Sequence, residues 1–212
     1  MSLSADPDTA TPWAPDLARL VIYWIPLGAG GAATVRVSGR IYEVVRALLE
    51  RRRPRHVYHT ALEVYVDGER FTIENAWPCP DDETDSRGVV VEGPLWSPWL
   101  RRLRWFRYEI RCWRDGCIAE VAEPVATPTL TGCPDRARRV LEMVRAVPAL
   151  TWGRSPGLGG DMWTSNSVIS YLLTVSGLPA ESFRPPAGGR ARGWDTGIDI
   201  ARDLMTVAPS SR

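Results

Sequence analysis

Residues 58–75 read YHTALEVYVDGERFTIEN, and this segment carries the strongest structural signal in the sequence. Apolar and polar residues alternate on both sides of Asp67-Gly68, a dipeptide that strongly favours a two-residue hairpin turn. The sequence therefore predicts a strand over 58–66, a tight turn and a partner strand over 70–75. The turn also fixes the register, because it pairs Val66 with Glu69.

The register places polar side chains together on one face of this hairpin. Side chains alternate along a strand, so His59, Ala61 and Glu63 share a face. The same register pairs Ala61 with Glu74, which lies diagonally to His59 on that face. A carboxylate that holds an imidazole ring is the arrangement a general base needs. The alternative interpretation is a polar stripe that faces solvent while the apolar residues of both strands face the core.

The segments before the hairpin predict one strand and one helix. Residues 20–25 are typical of a buried strand, which ends at Pro26 and the glycines of 28–31. Residues 40–53 place apolar side chains at helical spacing and predict an amphipathic helix that ends in an arginine run. We expect disordered tails over 1–16 and 207–212, and a single domain over 17–206.

The segments after the hairpin complete an α+β pattern. Residues 89–91 predict a short strand, and residues 106–112 and 117–121 predict a second hairpin that turns near Asp115-Gly116. An amphipathic helix is predicted over 134–147, a second helix over 165–176 and a short helix near the C-terminus. The tryptophan- and arginine-rich stretch 95–105 has no decisive periodicity. We expect an antiparallel sheet packed against helices.

Composition excludes several chemistries. All 26 basic residues are arginine, and 25 acidic residues leave a formal charge of +1. Without lysine there is no Schiff-base enzyme, no Ser-Lys dyad and no phosphate-loop lysine. The two histidines are His56 and His59, and the ring of His56 would point away from Glu74. A near-neutral chain does not favour a dedicated nucleic-acid or anionic-membrane surface.

The cysteines predict free thiols in a cytoplasmic protein. Four cysteines are too few for a disulfide scaffold at this length, and they match no zinc spacing, so we expect no metal and no cofactor. The N-terminus lacks the pattern of a signal peptide. The longest apolar run, 20–33, is interrupted by Pro26 and is too short to span a bilayer.

A second candidate feature is residues 163–173, WTSNSVISYLL, which begin a helix with several capping residues where one suffices. In the first turn, Ser167 would lie among free backbone N–H groups at the positive end of the helix dipole. That environment stabilises a nucleophile or an oxyanion. Redundant capping combined with polar packing is the alternative explanation.

The order of these features resembles the circularly permuted papain-like superfamily, which includes NlpC-like peptidases and lecithin–retinol acyltransferase-like enzymes. The resemblance covers residues 56–178 and depends on a strand opening with His59, a hairpin, and a later helix beginning Asn166-Ser167. It implies a permuted papain-like fold in which His59 is the catalytic histidine and Glu74 the third polar residue. This chain departs from the family at Ser167, where the family has cysteine. A serine needs a well-placed base to become nucleophilic.

Two functions follow as hypotheses. In the first, a hydrolase or acyltransferase acts on an amide or ester of a small molecule or peptide. Ser167 attacks, His59 takes its proton, Glu74 fixes the imidazole and helix N–H groups hold the oxyanion. In the second, a non-catalytic module binds a ligand or protein through its tryptophan- and arginine-rich surface. The residues expected to line the site are Asn166, Trp163, Glu63, Arg190 and Arg192. The last two lie in an arginine-rich segment that either folds over the site as a lid or forms an ordered surface loop.

Overall fold

The computed structural model describes residues 18–26, 56–76, 78, 88–95, 97–116, 118, 129–157 and 161–207. The predicted helix over 40–53, the predicted tail over 1–16 and residues 208–212 of the second predicted tail lie outside these residues. The described strands are β1 (Ala18–Pro26), β2 (His56–Val66), β3 (Glu69–Ala76), β4 (Val89–Pro94), β5 (Arg107–Arg114), β6 (Thr129–Gly132) and β7 (Gly189–Arg190). The described α-helices are α1 (Pro134–Met143), α2 (Ser165–Val175) and α3 (Trp194–Val207).

The predicted hairpin is confirmed as β2 and β3. Both turn residues have positive φ, 55° at Asp67 and 75° at Gly68, as a two-residue hairpin turn of type I′ requires. Val66 pairs with Glu69, in the predicted register. Arg138 of α1 binds the Asp67 carboxylate through two hydrogen bonds of 2.7 and 3.0 Å, which joins the hairpin tip to the helix.

The strands form one sheet in the order β4-β5-β3-β2-β1-β6. All neighbours along this path are antiparallel, while β7 adds a two-residue parallel pairing to β2. The predicted strands at 20–25 and 89–91 are confirmed as β1 and β4. The protein is thus a mixed α+β protein with an antiparallel sheet, as the sequence predicts.

Of the second predicted hairpin, the structure describes the first strand, which is β5, while residues 117 and 119–121 lie outside the described residues. β5 is a strand, but both of its edges are already paired, one with β4 and the other with β3. Asp115 has a turn-like φ of 52°, yet its backbone N–H donates to the carbonyl of Arg70 at 2.8 Å and so joins β3. The Asp115-Gly116 turn signal therefore lies at the end of β5, whose described partners are β3 and β4.

The two faces of the sheet have different partners. The inner face carries Leu62, Val64 and Ile73, each 0% exposed, and packs against the helices. Trp24 of β1 lies on this face, and its ring centroid is 4.9 Å from that of Trp194 in α3. The outer face carries the alternate residues of the same strands, including Glu63.

The helices confirm two sequence predictions and extend a third. α1 continues into a 3-10 turn at Val144–Ala146, so the predicted helix over 134–147 is present with a tightened last turn. α2 follows the predicted range closely. α3 starts at Trp194 and, with 14 residues, is the longest helix of the described chain rather than a short one. No helix in the described ranges has both the length and the apolar character that crossing a membrane requires.

Candidate functional site

Four polar side chains at the start of α2 form what we call the helix-start cluster: Thr164, Asn166, Ser167 and Ser170. All are buried, with at most 9% exposed. Each donates a hydrogen bond of 2.7 or 2.8 Å to a main-chain carbonyl of residues 192–194, which we call the strap. A helix start needs only one capping residue. The additional polar side chains of the cluster are explained by their hydrogen bonds to the strap.

The hydroxyl of Ser167, the predicted nucleophile, is occupied by main-chain groups. It accepts from the N–H of Thr164 at 3.0 Å and donates to the carbonyl of Gly193 at 2.7 Å, with the side chain 0% exposed. The carbonyl oxygen of Met162 is more distant, at 3.3 Å. A hydroxyl carries one proton. The bond to Gly193 therefore engages the proton that a base would have to remove.

Gly193 allows the strap to approach the helix this closely. Its φ of +79° is a conformation that side-chain-bearing residues rarely adopt. A Cβ added at this position would collide with the carbonyl oxygen of Met162 and with the hydroxyl oxygens of Ser167 and Thr164. The contact between the strap and α2 thus requires glycine for two independent reasons.

An internal ion pair fixes the strap from its other side. Arg192 is 7% exposed, and its Nε lies 3.0 Å from Oδ2 of Asp161, while its Nη2 contacts Oδ1. Burial alone would raise the pKa of the Asp161 carboxyl, but hydrogen bonds from Arg192 and from the Met162 N–H outweigh it and hold the pKa below its ordinary value. Arg192, expected to contact substrate, contacts a carboxylate of its own chain.

The predicted base lies across the sheet from Ser167. The hydroxyl of Thr60, the next residue after His59 in β2, is directed at α2 and lies 3.4 Å from the carbonyl of Ser165. Since successive side chains of a strand point to opposite faces, His59 belongs to the outer face. The hairpin register places Glu74 on that face too, opposite Arg111 of β5. His59 and Glu74 thus share a face as predicted, while the helix carrying Ser167 packs on the other.

Glu63 is the centre of a hydrogen-bond network on the outer face. Its Oε2 accepts from the hydroxyls of Tyr23 at 2.8 Å and Tyr65 at 2.7 Å, and the residue is 6% exposed. Nη1 of Arg70 lies 3.5 Å from Oε1. Burial, reinforced by the Glu63 carboxylate, raises the pKa of both phenols, so they remain neutral donors. Glu63 is therefore separated from the helix-start cluster by the sheet.

Of the other two predicted lining residues, Trp163 is held in the core and Arg190 lies in a strand. Trp163 is 0% exposed, and its indole N–H donates to the hydroxyl of Tyr108 at 3.1 Å. That hydroxyl donates in turn to the carbonyl of Leu150 at 2.8 Å, and burial raises the pKa of Tyr108 to about 12. Arg190 lies in β7, where it pairs with Val57 of β2.

The described part of the chain contains no group of three or more His, Cys, Asp or Glu side chains placed to hold a metal ion. Cys112 and Cys133 are free thiols. Burial raises the pKa of Cys112 to about 11, which keeps that thiol protonated at neutral pH. Cys133 is exposed and precedes α1.

Asp161 and Gly193 organise the helix start, and no sequence pattern indicates this role for either residue. Asp161 follows a glycine-rich segment and Gly193 lies in an arginine- and glycine-rich one, so both resemble ordinary loop residues. Their roles depend on contacts between segments far apart in the chain. The only local signal was the surplus of polar residues at the start of α2.

Comparison with known proteins finds no match. No protein-family model matches the sequence. No curated protein and no solved structure matches it either. The interpretation of the site therefore depends on the geometry of the described residues.

Proposed function

We propose that this protein is a non-catalytic binding module on a permuted papain-like scaffold, in which Ser167 has a structural task. The observation that carries the proposal is the bonding of its hydroxyl, which is fully buried and donates to the carbonyl of Gly193 at 2.7 Å. A nucleophilic serine needs a base for its proton and open space in front of its oxygen. Here a backbone carbonyl takes the place of the base.

The position of His59 supports the same proposal. A general base has to lie within about 2.6–3.2 Å of the proton it removes, directly or through one water. The alternation of β2 directs His59 to the outer face, whereas Thr60 faces α2. A sheet therefore stands between imidazole and hydroxyl.

Two exposed tryptophan side chains support a binding role. Trp99 and Trp105 are 73% and 68% exposed, a large apolar area for side chains that normally lie inside. Such exposure is typical of an interaction site. The module would act in the cytoplasm, where thiols such as those of Cys112 and Cys133 stay reduced.

A fluorophosphonate probe with intact-mass detection tests the proposal against the acyl-transfer alternative. We expect no labelling of Ser167 in the folded protein. A hydrolase or acyltransferase acting on an amide or ester would instead be labelled stoichiometrically, and Ser167→Ala and His59→Ala would each abolish the labelling. Ser182→Ala is the matched control, because Ser182 is an exposed serine outside the cluster. Labelling at Ser167 that depends on His59 would overturn the proposal.

A thiol introduced by Ser167→Cys gives a second readout. Burial and the absence of an activating base predict that this thiol reacts with a maleimide more slowly than the exposed native Cys133. A family-like active site would give the reverse order, because a cysteine at a helix N-terminus beside histidine is largely thiolate. Mass mapping of the labelled peptides distinguishes the two thiols.

A further inference from the structure

The connection between β4 and β5 holds large apolar side chains in solvent. It forms two 3-10 helices, Pro98–Arg102 and Arg104–Phe106, and we call residues 98–106 the tryptophan turn. Trp99 is 73% exposed, Leu103 52% and Trp105 68%. All three belong to the large hydrophobic residues that are exposed in the described part of the chain, and all three lie within the tryptophan turn.

The exposure is a property of an ordered turn. Its base is closed by the N–H of Leu95 donating to the carbonyl of Phe106 at 2.8 Å. Inside it, the N–H of Phe106 donates to the carbonyl of Leu103 at 2.9 Å. The Arg107 guanidinium of β5 joins the turn to the sheet, because its Nε donates to the carbonyl of Arg101 and its Nη2 to the carbonyl of Arg102 at 3.4 Å. The indoles are therefore held outward by the fold.

The tryptophan turn also has local positive charge. Arg101 and Arg102 are exposed, and neither forms an ion pair with a carboxylate of the described residues. Arg107 differs, because Glu92 compensates it. The near-neutral net charge of the chain, which by itself argues against an anionic-membrane surface, does not reflect this local excess of cations beside the indoles.

We propose that the tryptophan turn docks on an anionic lipid surface, with Trp99, Leu103 and Trp105 at the level of the headgroups and Arg101 and Arg102 on lipid phosphates. Indoles favour the membrane–water interface, and arginine side chains reach from apolar surroundings to phosphate. Anionic lipids attract each nearby arginine. This inference rests on the proposed function, since it names the ligand class of the binding module.

A lipid surface suits these side chains better than a protein partner does. Side chains exposed to this degree project from the protein, and a protein partner would need a preformed pocket for each indole. A bilayer interface accepts projecting aromatic rings without such pockets. It also supplies phosphates at every position around the turn, which matches two adjacent arginines that form no ion pair with a carboxylate in the described part of the chain.

Co-sedimentation with sucrose-loaded vesicles tests the inference on the full chain. We expect binding to phosphatidylcholine vesicles that contain about one third phosphatidylglycerol, and much weaker binding to phosphatidylcholine alone. Trp99→Ala with Trp105→Ala should lower the partition coefficient more than about tenfold. Arg101→Gln with Arg102→Gln should lower it about thirtyfold on anionic vesicles, and high salt should have a similar effect.

The matched control removes two exposed arginines elsewhere, by Arg136→Gln with Arg139→Gln on α1. This variant has the same net charge as the tested arginine pair and should retain most of its binding. Equal losses of vesicle binding in the two double-arginine variants, or no sedimentation of the wild type with the vesicles, would overturn the inference. So would a dimer that dissociates in Trp99→Ala with Trp105→Ala, because the surface would then bind a second copy.

The two proposals fail in distinguishable ways. Probe labelling at Ser167 would refute the non-catalytic role and leave the vesicle result unchanged. Failure to bind vesicles would refute lipid docking and leave the labelling result unchanged. Thermal melts of each variant check the fold, and the substituted side chains of the tryptophan turn are exposed, so we expect unchanged melting temperatures.

Discussion

Replacing Ser167 with alanine should destabilise the protein substantially. The substitution leaves the Gly193 carbonyl without the donor at 2.7 Å and the Thr164 N–H without the acceptor at 3.0 Å, at a fully buried position. A buried polar group left without its partner costs about 1–3 kcal/mol. Two such groups, with some relaxation, give a loss of about 2–4 kcal/mol in the free energy of unfolding.

Urea denaturation monitored by circular dichroism measures this loss. With a slope of about 2 kcal/mol per molar urea, the midpoint of Ser167→Ala should fall by about 1–2 M. Ser182→Ala is the control, because its hydroxyl donates to the carbonyl of Pro179 at an exposed position and its loss should cost less than about 0.5 kcal/mol. If both variants unfold at the wild-type midpoint, Ser167 does not hold the strap and the structural assignment is refuted.

Three further outcomes follow from the same contacts. Gly193→Ala should lower the free energy of unfolding, measured by urea denaturation, by several kcal/mol more than Gly157→Ala does. Both positions have positive φ, but only at Gly193 would the added Cβ collide with neighbouring atoms, so equal losses would contradict this reasoning. The Asp161 carboxyl has a lowered pKa in the folded state, so its stabilisation is present above about pH 4 and is lost as pH falls through the folded pKa. Asp161→Asn should therefore be less stable than the wild type near pH 7. Thermal melts across pH should show the difference in melting temperature becoming smaller in acid. Glu63→Gln should lower the alkaline pKa of the two tyrosines that donate to it, seen by phenolate absorbance, whereas an unchanged titration would show that burial alone raises them.

The elements that the sequence predicted well are those specified by local chemistry. The turn at Asp67 and Gly68 needs positive φ at both positions, and few dipeptides other than Asp-Gly meet that need. Amphipathic spacing in the same way identified α1, and the succession of capping residues identified the start of α2. The same type of turn signal at Asp115 lies at the end of β5, whose described partners β3 and β4 follow from the order of strands in the sheet, which turn residues do not encode.

The arrangement of the candidate site depended on tertiary contacts that alternation does not specify. Both faces of β2 carry buried residues, for example Ala61 and Glu63 outside and Leu62 and Val64 inside. The pattern therefore correctly grouped His59 with Glu74 but did not indicate on which side α2 packs. Similarly, the sequence indicates capping residues at the start of α2, but the carbonyls to which these residues donate belong to the strap, which is distant in sequence.

The position of β1 between β2 and β6 determines when the sheet can be completed during folding. β1 precedes both of its partners in the chain, since one edge pairs with β2 and the other with β6, where Ala18 lies opposite Gly132. Closing so long a loop is entropically unfavourable and slows folding. One edge of this apolar strand therefore stays unpaired until β6 has been synthesised. Unpaired strand edges favour aggregation during that period. Substitutions in β6 should thus affect refolding yield more than the stability of the folded protein.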